Sequence, residues 1–352
     1  YFLAGRRIPW WAAGLSIFGG GLSAITYMAI PGKAFGANWV TILRNIVPLA
    51  IIPLVVFFYI PFYRRLRVTT AYEYLEKRFN YPVRAFASGL FVVFQFGRMA
   101  IVLVLPAMAL STVTGIDLYL AIVLMGVLAT VYTVLGGIEA VVWTDVLQVI
   151  VLMGAAVMCL GVIVADAGGF GKIIEIGAAD GKFHTVNWMW DYATPSLWVM
   201  VVGNFFGQLM PNTADQSVVQ RYLTTRDERA ARRAAWTSAL LNIPTGLLFF
   251  FLGTALWAFY RQHAGLLPAG MPNERIFPVF IVQQLPVGLS GLLIAGVFAA
   301  AMSSIDSGVN AITAAVTTDF VRRFRPTTDA HMLRVARVLT VGSVQSLGSP
   351  VG

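Results

Sequence analysis

The sequence has 352 residues, of which 58% are hydrophobic and only 12% are Asp, Glu, Lys or Arg. A soluble domain carries charge at about a quarter of its positions, so this composition excludes a soluble protein and indicates an integral membrane protein. The net charge of +9 could suggest nucleic-acid binding, but the cations cluster in short loops beside apolar runs, and we expect no nucleic-acid partner.

The positions of Lys and Arg orient the chain in the lipid bilayer. Cation-rich loops alternate with cation-poor loops, which is the pattern that distinguishes cytoplasmic from external loops. The rich loops contain Arg64, Arg65, Arg67, Lys77, Arg78 and Arg84, then Arg221, Arg226, Arg229, Arg232 and Arg233, and then Arg322, Arg323, Arg325, Arg334 and Arg337. We therefore expect a multi-pass protein of the cell inner (plasma) membrane whose N-terminal end is cytoplasmic. Since the sequence starts at Tyr1 and stops in an apolar run, we also expect it to be part of a longer protein.

The first predicted span, residues 9–30, contains the glycine run Gly19 to Gly21, followed by Ser23 and Thr26. Consecutive glycines weaken a helix, and a break frees carbonyl groups that a membrane tolerates only where they line a cavity. We predict a broken helix here. The alternative is close packing of another helix against the small residues.

The next two predicted spans are residues 40–62 and 82–112, and the second of them carries Arg98 far from both of its ends. An unpaired Arg near the bilayer centre costs about 2.5–3.5 kcal/mol, so Arg98 requires an anion. That anion is either a substrate or a protein carboxylate, for which Asp145 and Asp306 are the candidates.

Residues 118–135 and 140–164 are the fourth and fifth predicted spans, with a tight cytoplasmic turn at Gly136-Gly137 between them. Asp145 lies near the cytoplasmic start of the fifth span. It is either a charge that the helix dipole favours or a functional carboxylate.

The sixth predicted span, residues 195–219, follows a polar external segment at 166–192 and is interrupted by glycines, Pro211 and the polar run 212–216. It is the second candidate for a broken helix. Residues 234–260 form the seventh span, an external loop covers 262–284, and a ninth span begins at 335. Interrupted first and sixth spans, five spans apart, are typical of a transporter with inverted repeats and a site near the membrane midplane.

The eighth predicted span, residues 285–316, places Ala300, Ser303, Ser304 and Ser307 on one helical face, with Asp306 beside it. Polar groups at this depth are costly unless they have a partner. The hydroxyl groups could donate back to carbonyls of their own helix. As a set with the carboxylate, they are the hard oxygen ligands that a small cation needs, and we predict a cation site.

Several segments, in order along the chain, resemble the sodium:solute symporter family. They are residues 1–11 (YFLAGRRIPWW), 70–78 (TAYEYLEKR), 136–148 (GGIEAVVWTDVLQ), 219–222 (VQRY) and 300–304 (AAMSS) with Asn310. The resemblance implies an all-α integral membrane protein with the LeuT-like five-plus-five inverted repeat, truncated here to core helices 1–8 and the start of 9. Residues 1–168 would form the first repeat, 169–194 an external loop and 195–352 a partial second repeat.

The same resemblance implies that Na+ is the coupling ion, with one or two ions bound. The ligands of the first would be the carbonyl groups of Gly19, Leu22 and Ala300 and the hydroxyl groups of Ser303 and Ser304. A possible second sodium would use Asp145, Ser303, Asp306 and Ser307. Asp306 stands where relatives carry a serine, so its carboxylate either strengthens cation binding or pairs with Arg98.

For the substrate, the resemblance implies contacts from Ser23, Thr26, Asn45, Arg98 and Phe206, with Arg98 on the carboxylate and Phe206 capping the pocket. We therefore expect a monomeric symporter for a small organic anion, such as sialic acid or a related sugar acid. Two alternatives remain: a symporter for another solute (proline, a monocarboxylate, a sugar or a vitamin), and a transporter-like sensor domain of a signalling protein. The sequence contains no catalytic Ser/His/Asp set, metal cluster or phosphate loop, so we do not expect an enzyme.

Overall fold

A computed structural model describes residues 2–22, 24–66, 68–267, 270–324 and 338. Within these residues the regular structure is helical, apart from one isolated bridge between Ile8 and Thr225. Five helices there are long and apolar enough to cross a membrane, and a bent helix pair makes a sixth candidate span. The chain is therefore a multi-pass membrane protein, as its composition predicts. The predicted ninth span, from 335, lies outside the described residues.

The first span is broken, and the position of the break differs slightly from the prediction. Helix α1 (Trp10–Gly21) includes the whole glycine run, and α2 (Ala24–Gly36) follows it at a bend of 61°. The chain leaves the helical conformation at Leu22, where φ is −87° and ψ is 83°. The glycines therefore weaken the end of α1 and let other groups approach it, while the turn itself comes just after them.

The next helices are α3 (Val40–Leu66), the short α4 (Glu73–Arg78), α5 (Tyr81–Thr114) and α6 (Leu118–Asp166). Helix α6 comprises the predicted fourth and fifth spans. They meet at Gly137, whose φ of 57° and ψ of −146° suit glycine and few other residues. The helical conformation is thus interrupted at the predicted glycine pair, at Gly137 and without an intervening loop.

The second half of the chain begins with α7 (Phe170–Ala179). A π-helical segment (Val199–Gly203) then runs into α8 (Asn204–Thr213), which is followed by α9 (Gln216–Thr224) and α10 (Glu228–Gln262). The second predicted break is confirmed between α8 and α9, at Ala214 and Asp215. Asp215 caps α9, because its Oδ1 accepts the Ser217 N–H at 2.8 Å.

The last described helices are α11 (Asn273–Gln283) and α12 (Val287–Val321). Helices α7 and α11 correct the prediction that residues 166–192 and 262–284 are loops. Each is a short helix that buries one face: α11 buries Phe277 and Phe280 against the protein, and its Asn273 carbonyl contacts Gly32 of α2.

The main apolar core is formed by residues of α1, α2, α5, α6, α10, α11 and α12. Tyr27 of α2 is fully buried between Phe249 of α10 and Phe277 of α11, with ring centroids 5.2 and 5.6 Å apart. This packing holds the broken first span against the helices that carry the polar groups. The division of the chain at 168 and 195 into two repeats stays a prediction.

Candidate ion and substrate site

The carboxylate of Asp145 is at the centre of a buried polar cluster between four helices. It is fully buried on α6, and it accepts hydrogen bonds from Ser16 of α1 and Ser303 of α12, each at 2.5 Å. Arg221 of α9 donates to the same carboxylate at 2.9 Å. Burial of a charge in a membrane protein requires such compensation, and Asp145 is therefore a buried, paired carboxylate rather than an exposed charge at a helix start. Its functional role stays a prediction.

Arg221 supplies the positive charge of this cluster. It is only 2% exposed, and it donates to Ser16 Oγ at 2.6 Å, to Ser307 Oγ at 2.5 Å and to the Ser217 carbonyl at 2.6 Å. The sequence places Arg221 among the cations of a cytoplasmic loop, and this is wrong. The break before α9 returns the chain to the core, and Arg221 lies in the last turn of the resulting short helix.

The predicted second sodium site is brought together, in part, by these contacts. Asp145, Ser303 and Ser307 lie within one hydrogen-bonded cluster, to which Ser16 adds a hydroxyl group that the sequence did not single out. Their oxygens are of the kind that Na+ prefers. Which of them coordinates an ion stays a prediction.

Asp306 lies on a neighbouring face of α12 and is fully buried. Its carboxylate accepts from the Tyr132 hydroxyl at 2.6 Å, and Ser307 and Thr144 contact it at 3.3 and 3.5 Å. The suggestion that Arg98 pairs with Asp145 or Asp306 is wrong in this structure, since both carboxylates have other partners.

The predicted first sodium site involves α1 and α12. Leu22 and Ala300 are buried in one apolar cluster, and Gly19 packs against α6, where an added Cβ would lie 3.7 Å from the Asp145 carbonyl oxygen. Ser303 and Ser304 differ: Ser303 reaches Asp145, whereas Ser304 donates to the carbonyl of Ala300 at 3.4 Å. The grouping of these five residues around one ion stays a prediction.

A cavity of about 420 Å³ opens beside this cluster, and Arg98 of α5 lines it. Its guanidinium donates to the Gly20 carbonyl at 3.3 Å and lies 4.0 Å from the Asp215 carboxylate, with about a third of the side chain exposed. Ser307 and Arg221 line the same cavity. The cavity therefore contacts both the arginine predicted to bind substrate and the cluster predicted to bind sodium.

The other predicted substrate residues fall into three groups. Thr26 and Asn45 line the cavity, and the Asn45 amide packs directly on Gly246 of α10. Phe206 is 68% exposed and is not among the residues that line the cavity, so its position does not support the predicted capping role. On the same helix, Gln208 and Asn212 line the cavity instead. Ser23 lies outside the described residues.

The sequence profile of the sodium:solute symporter family matches residues 1–345. The chain belongs to this family. Relatives of this symporter include the sodium/sialic acid symporter SiaT of Proteus mirabilis (strain HI4320), which is 41% identical over 345 residues, or 97% of this chain and 70% of SiaT. Another is the sodium/sialic acid symporter NanT of Aliivibrio fischeri (strain ATCC 700601 / ES114), at 42% identity over 97% of this chain and 68% of NanT.

The symporter is also similar to a solved structure, the substrate-bound outward-open state of a Na+-coupled sialic acid symporter. The two share 40% sequence identity at a TM-score of 0.94, over 99% of this chain and 75% of the other. The predicted all-α, LeuT-like fold is thereby confirmed.

Proposed function

We propose that this protein is a sodium-coupled symporter that imports a small organic anion, with sialic acid or a related sugar acid as its substrate. It would act in the plasma membrane with the N-terminal end of the chain in the cytoplasm, where the cation-rich segments lie. The curated relatives SiaT and NanT support this substrate, because both are named as sodium/sialic acid symporters and both match nearly the whole chain.

The observation that carries the proposal is the position of Arg98 within the cavity. A guanidinium inside a membrane protein requires an anion, and Asp215 at 4.0 Å is at the outer limit of an ion pair. Part of the Arg98 side chain thus stays open to the cavity. A carboxylate bound there could accept two parallel hydrogen bonds from the guanidinium. Thr26 and Asn45 would supply further polar contacts to the hydroxyl groups of a sugar acid.

Sodium would supply the driving force. Each inward charge gains about 2.3 kcal/mol per 100 mV, and a tenfold concentration gradient adds about 1.4 kcal/mol. One sodium ion moving with a monoanion carries no net charge, so it supports only about tenfold accumulation. Two ions leave about 5 kcal/mol, or several thousandfold. A second ion at Asp145 would therefore benefit an importer of scarce acids.

The test is uptake of labelled sialic acid into proteoliposomes that contain the full-length protein, with an inward gradient of sodium or of potassium. We expect uptake with sodium only. Arg98→Ala should lower uptake about tenfold or more, since removal of a buried partner of a charge costs about 2–5 kcal/mol. Sodium-dependent thermal stabilisation of the variant should persist.

Arg44 provides the matched control, because it is a second arginine that lines the cavity but is exposed. Arg44→Ala should reduce uptake much less than Arg98→Ala. Equal uptake by Arg98→Ala and wild type would contradict the role of Arg98, and sodium-independent uptake by wild type would contradict the proposed function.

A further inference from the structure

Helix α9 carries a charged residue at each end. One has its partner in the proposed substrate cavity and the other in the proposed ion cluster. Asp215, the cap residue at its start, lies 4.0 Å from Arg98. Arg221, six residues later, forms the 2.9 Å ion pair with Asp145. A helix of nine residues thus spans from the arginine of the substrate cavity to the carboxylate of the ion cluster.

Arg221 occupies the ion cluster in the way that a cation would. Its guanidinium contacts a carboxylate oxygen of Asp145 and the hydroxyl oxygens of Ser16 and Ser307. These are hard oxygen atoms that could also coordinate Na+. The Arg221 guanidinium and a sodium ion cannot both bind these oxygens closely, because two cations at that distance would repel each other.

Asp215 faces the Arg98 guanidinium in the way that a substrate carboxylate would. It is buried at 5% exposure and presents Oδ2 to the guanidinium, while its Oδ1 is held by the N–H and the hydroxyl group of Ser217. The long distance indicates a weak pair. An incoming carboxylate with better geometry could therefore replace Asp215 at Arg98.

We propose that Arg221 is a tethered cation that competes with sodium at Asp145, and that Asp215 is a tethered carboxylate that competes with the substrate at Arg98. Because both lie on α9, displacement of one pair weakens the other, and the two binding events favour each other through this helix. This inference rests on the proposed function. Both residues line the cavity, so each can remain solvated after it is displaced.

Displacement of α9 would have to break the hydrogen bonds that two of its glutamine side chains make with neighbouring segments. Gln216 bonds to the backbone of Thr69 and Ala71 in the cytoplasmic segment before α4, and Gln220 bonds to the Phe2 carbonyl and to Asn310 of α12. The helix is therefore held by polar contacts on its cytoplasmic side. A movement of α9 would reach the N-terminal segment, the cytoplasmic segment and α12 together.

The first experiment measures thermal stabilisation of the purified full-length protein by sodium chloride, with choline chloride keeping the ionic strength constant. Arg221→Gln removes the tethered charge but keeps a polar side chain. We expect its half-maximal sodium concentration to fall about tenfold or more, which is a change of about 1.4 kcal/mol. Adding Asp145→Asn to this variant should abolish the gain.

An unchanged or higher sodium requirement in Arg221→Gln would overturn the proposal, because Arg221 would then stabilise the sodium site instead of competing with sodium for it. A static structural role cannot produce tighter sodium binding. If Arg221→Gln does not fold, Arg221→Lys keeps the charge on a shorter side chain with weaker geometry, and we expect a smaller fall in the same midpoint.

The second experiment uses Asp215→Asn, which retains the oxygen that caps α9 but removes the charge facing Arg98. Sialic acid should stabilise this variant at a concentration several-fold lower than wild type, with sodium held constant. Sialic acid should also lower the sodium midpoint less in Asp215→Asn than in wild type, because one of the two coupled pairs is already broken. Equal substrate affinity, or an equal effect of sialic acid on the sodium midpoint, would overturn the proposal.

Uptake and stabilisation of wild type distinguish a failure of the proposed function from a failure of the competition through α9. If wild type shows neither sodium-dependent stabilisation nor uptake, the proposed function fails. If wild type shows both and the midpoints of Arg221→Gln and Asp215→Asn do not change, only the competition through α9 fails.

Discussion

Ser303 and Ser304 are adjacent on α12, but their hydroxyl groups have different partners. Ser303 donates to the Asp145 carboxylate at 2.5 Å, whereas Ser304 makes a long contact at 3.4 Å with a carbonyl of its own helix. Hydrogen bonds to charged groups contribute about 1.5–3 kcal/mol, about twice the value of neutral ones. Of the two serines, Ser303 therefore makes the stronger hydrogen bond, and that bond is to the ion cluster.

Ser303→Ala should raise the sodium concentration needed for half-maximal uptake about tenfold, since it removes a candidate ligand and a bond to Asp145. The measurement is sodium-dependent uptake in proteoliposomes. Ser290→Ala is the control on the same helix, because Ser290 is half-buried near the start of α12 and its hydroxyl donates to the Val287 carbonyl. An equal sodium requirement in both variants would contradict a role for Ser303.

Asp306 gives a second prediction at this scale. Its hydrogen-bond donors in the described part of the chain include the hydroxyl groups of Tyr132 and Ser307 and the Ser307 backbone N–H, and an ionised carboxylate there has no ion pair among the described residues. Asp306→Asn keeps an acceptor for Tyr132 and removes the charge. We expect a higher melting temperature without sodium, together with a higher sodium midpoint in the thermal shift assay. A fall in both quantities would show that the charge is needed for folding and not for binding the ion.

At the scale of elements, α1 and α10 pack closely because Gly14 has no side chain. An added Cβ would lie 2.8 Å from Thr237 Cβ and 2.9 Å from the Ala234 carbonyl oxygen, which is closer than real contacts allow. Gly14→Ala should therefore destabilise the protein by about 1–3 kcal/mol. Gly154→Ala is the control, since no atom lies within 4 Å of the added group.

The control should be neutral, or stabilising by up to about 1 kcal/mol, because alanine has the higher helix propensity. Melting temperatures of the two purified variants test this directly. If both variants melt at the same temperature as wild type, the helices can separate slightly at Gly14 without cost, and the close approach contributes nothing to stability.

The elements also show which parts of the structure the sequence could predict. Hydropathy located the membrane-length helices of the described residues, although the predicted sixth span is built from shorter helices. Glycines and polar runs located both helix breaks, because a membrane imposes strict rules on backbone polar groups. Helices α7 and α11 were missed because they are short and only one face is buried. The burial of Arg221 was missed because the other cations nearby in the sequence indicated a loop. Its burial depends on the direction that α9 takes after the second break.

At the scale of the whole molecule, one buried network joins the start of α5 and the end of α12 to the segment between α3 and α4. The Asp319 carboxylate is fully buried and accepts from Arg84 at 2.6 Å and from Thr70 and Ser88 at 2.7 Å each. Arg84 also pairs with Glu76 at 2.6 Å. The sequence showed the cations of this region but gave no sign that a carboxylate at the end of α12 would pair with Arg84.

Asp319→Asn should lower the free energy of unfolding by about 3–5 kcal/mol, because it leaves the Arg84 guanidinium buried with only part of its compensation. Glu175→Gln is the control: it breaks the exposed Lys172–Glu175 pair, and pairs of that kind contribute about 0–1 kcal/mol. Melting temperatures of the purified full-length variants would separate the two. Equal stability of Asp319→Asn and wild type would mean that Glu76 alone compensates Arg84, and that the start of α5 and the end of α12 are held together by apolar packing rather than by this network.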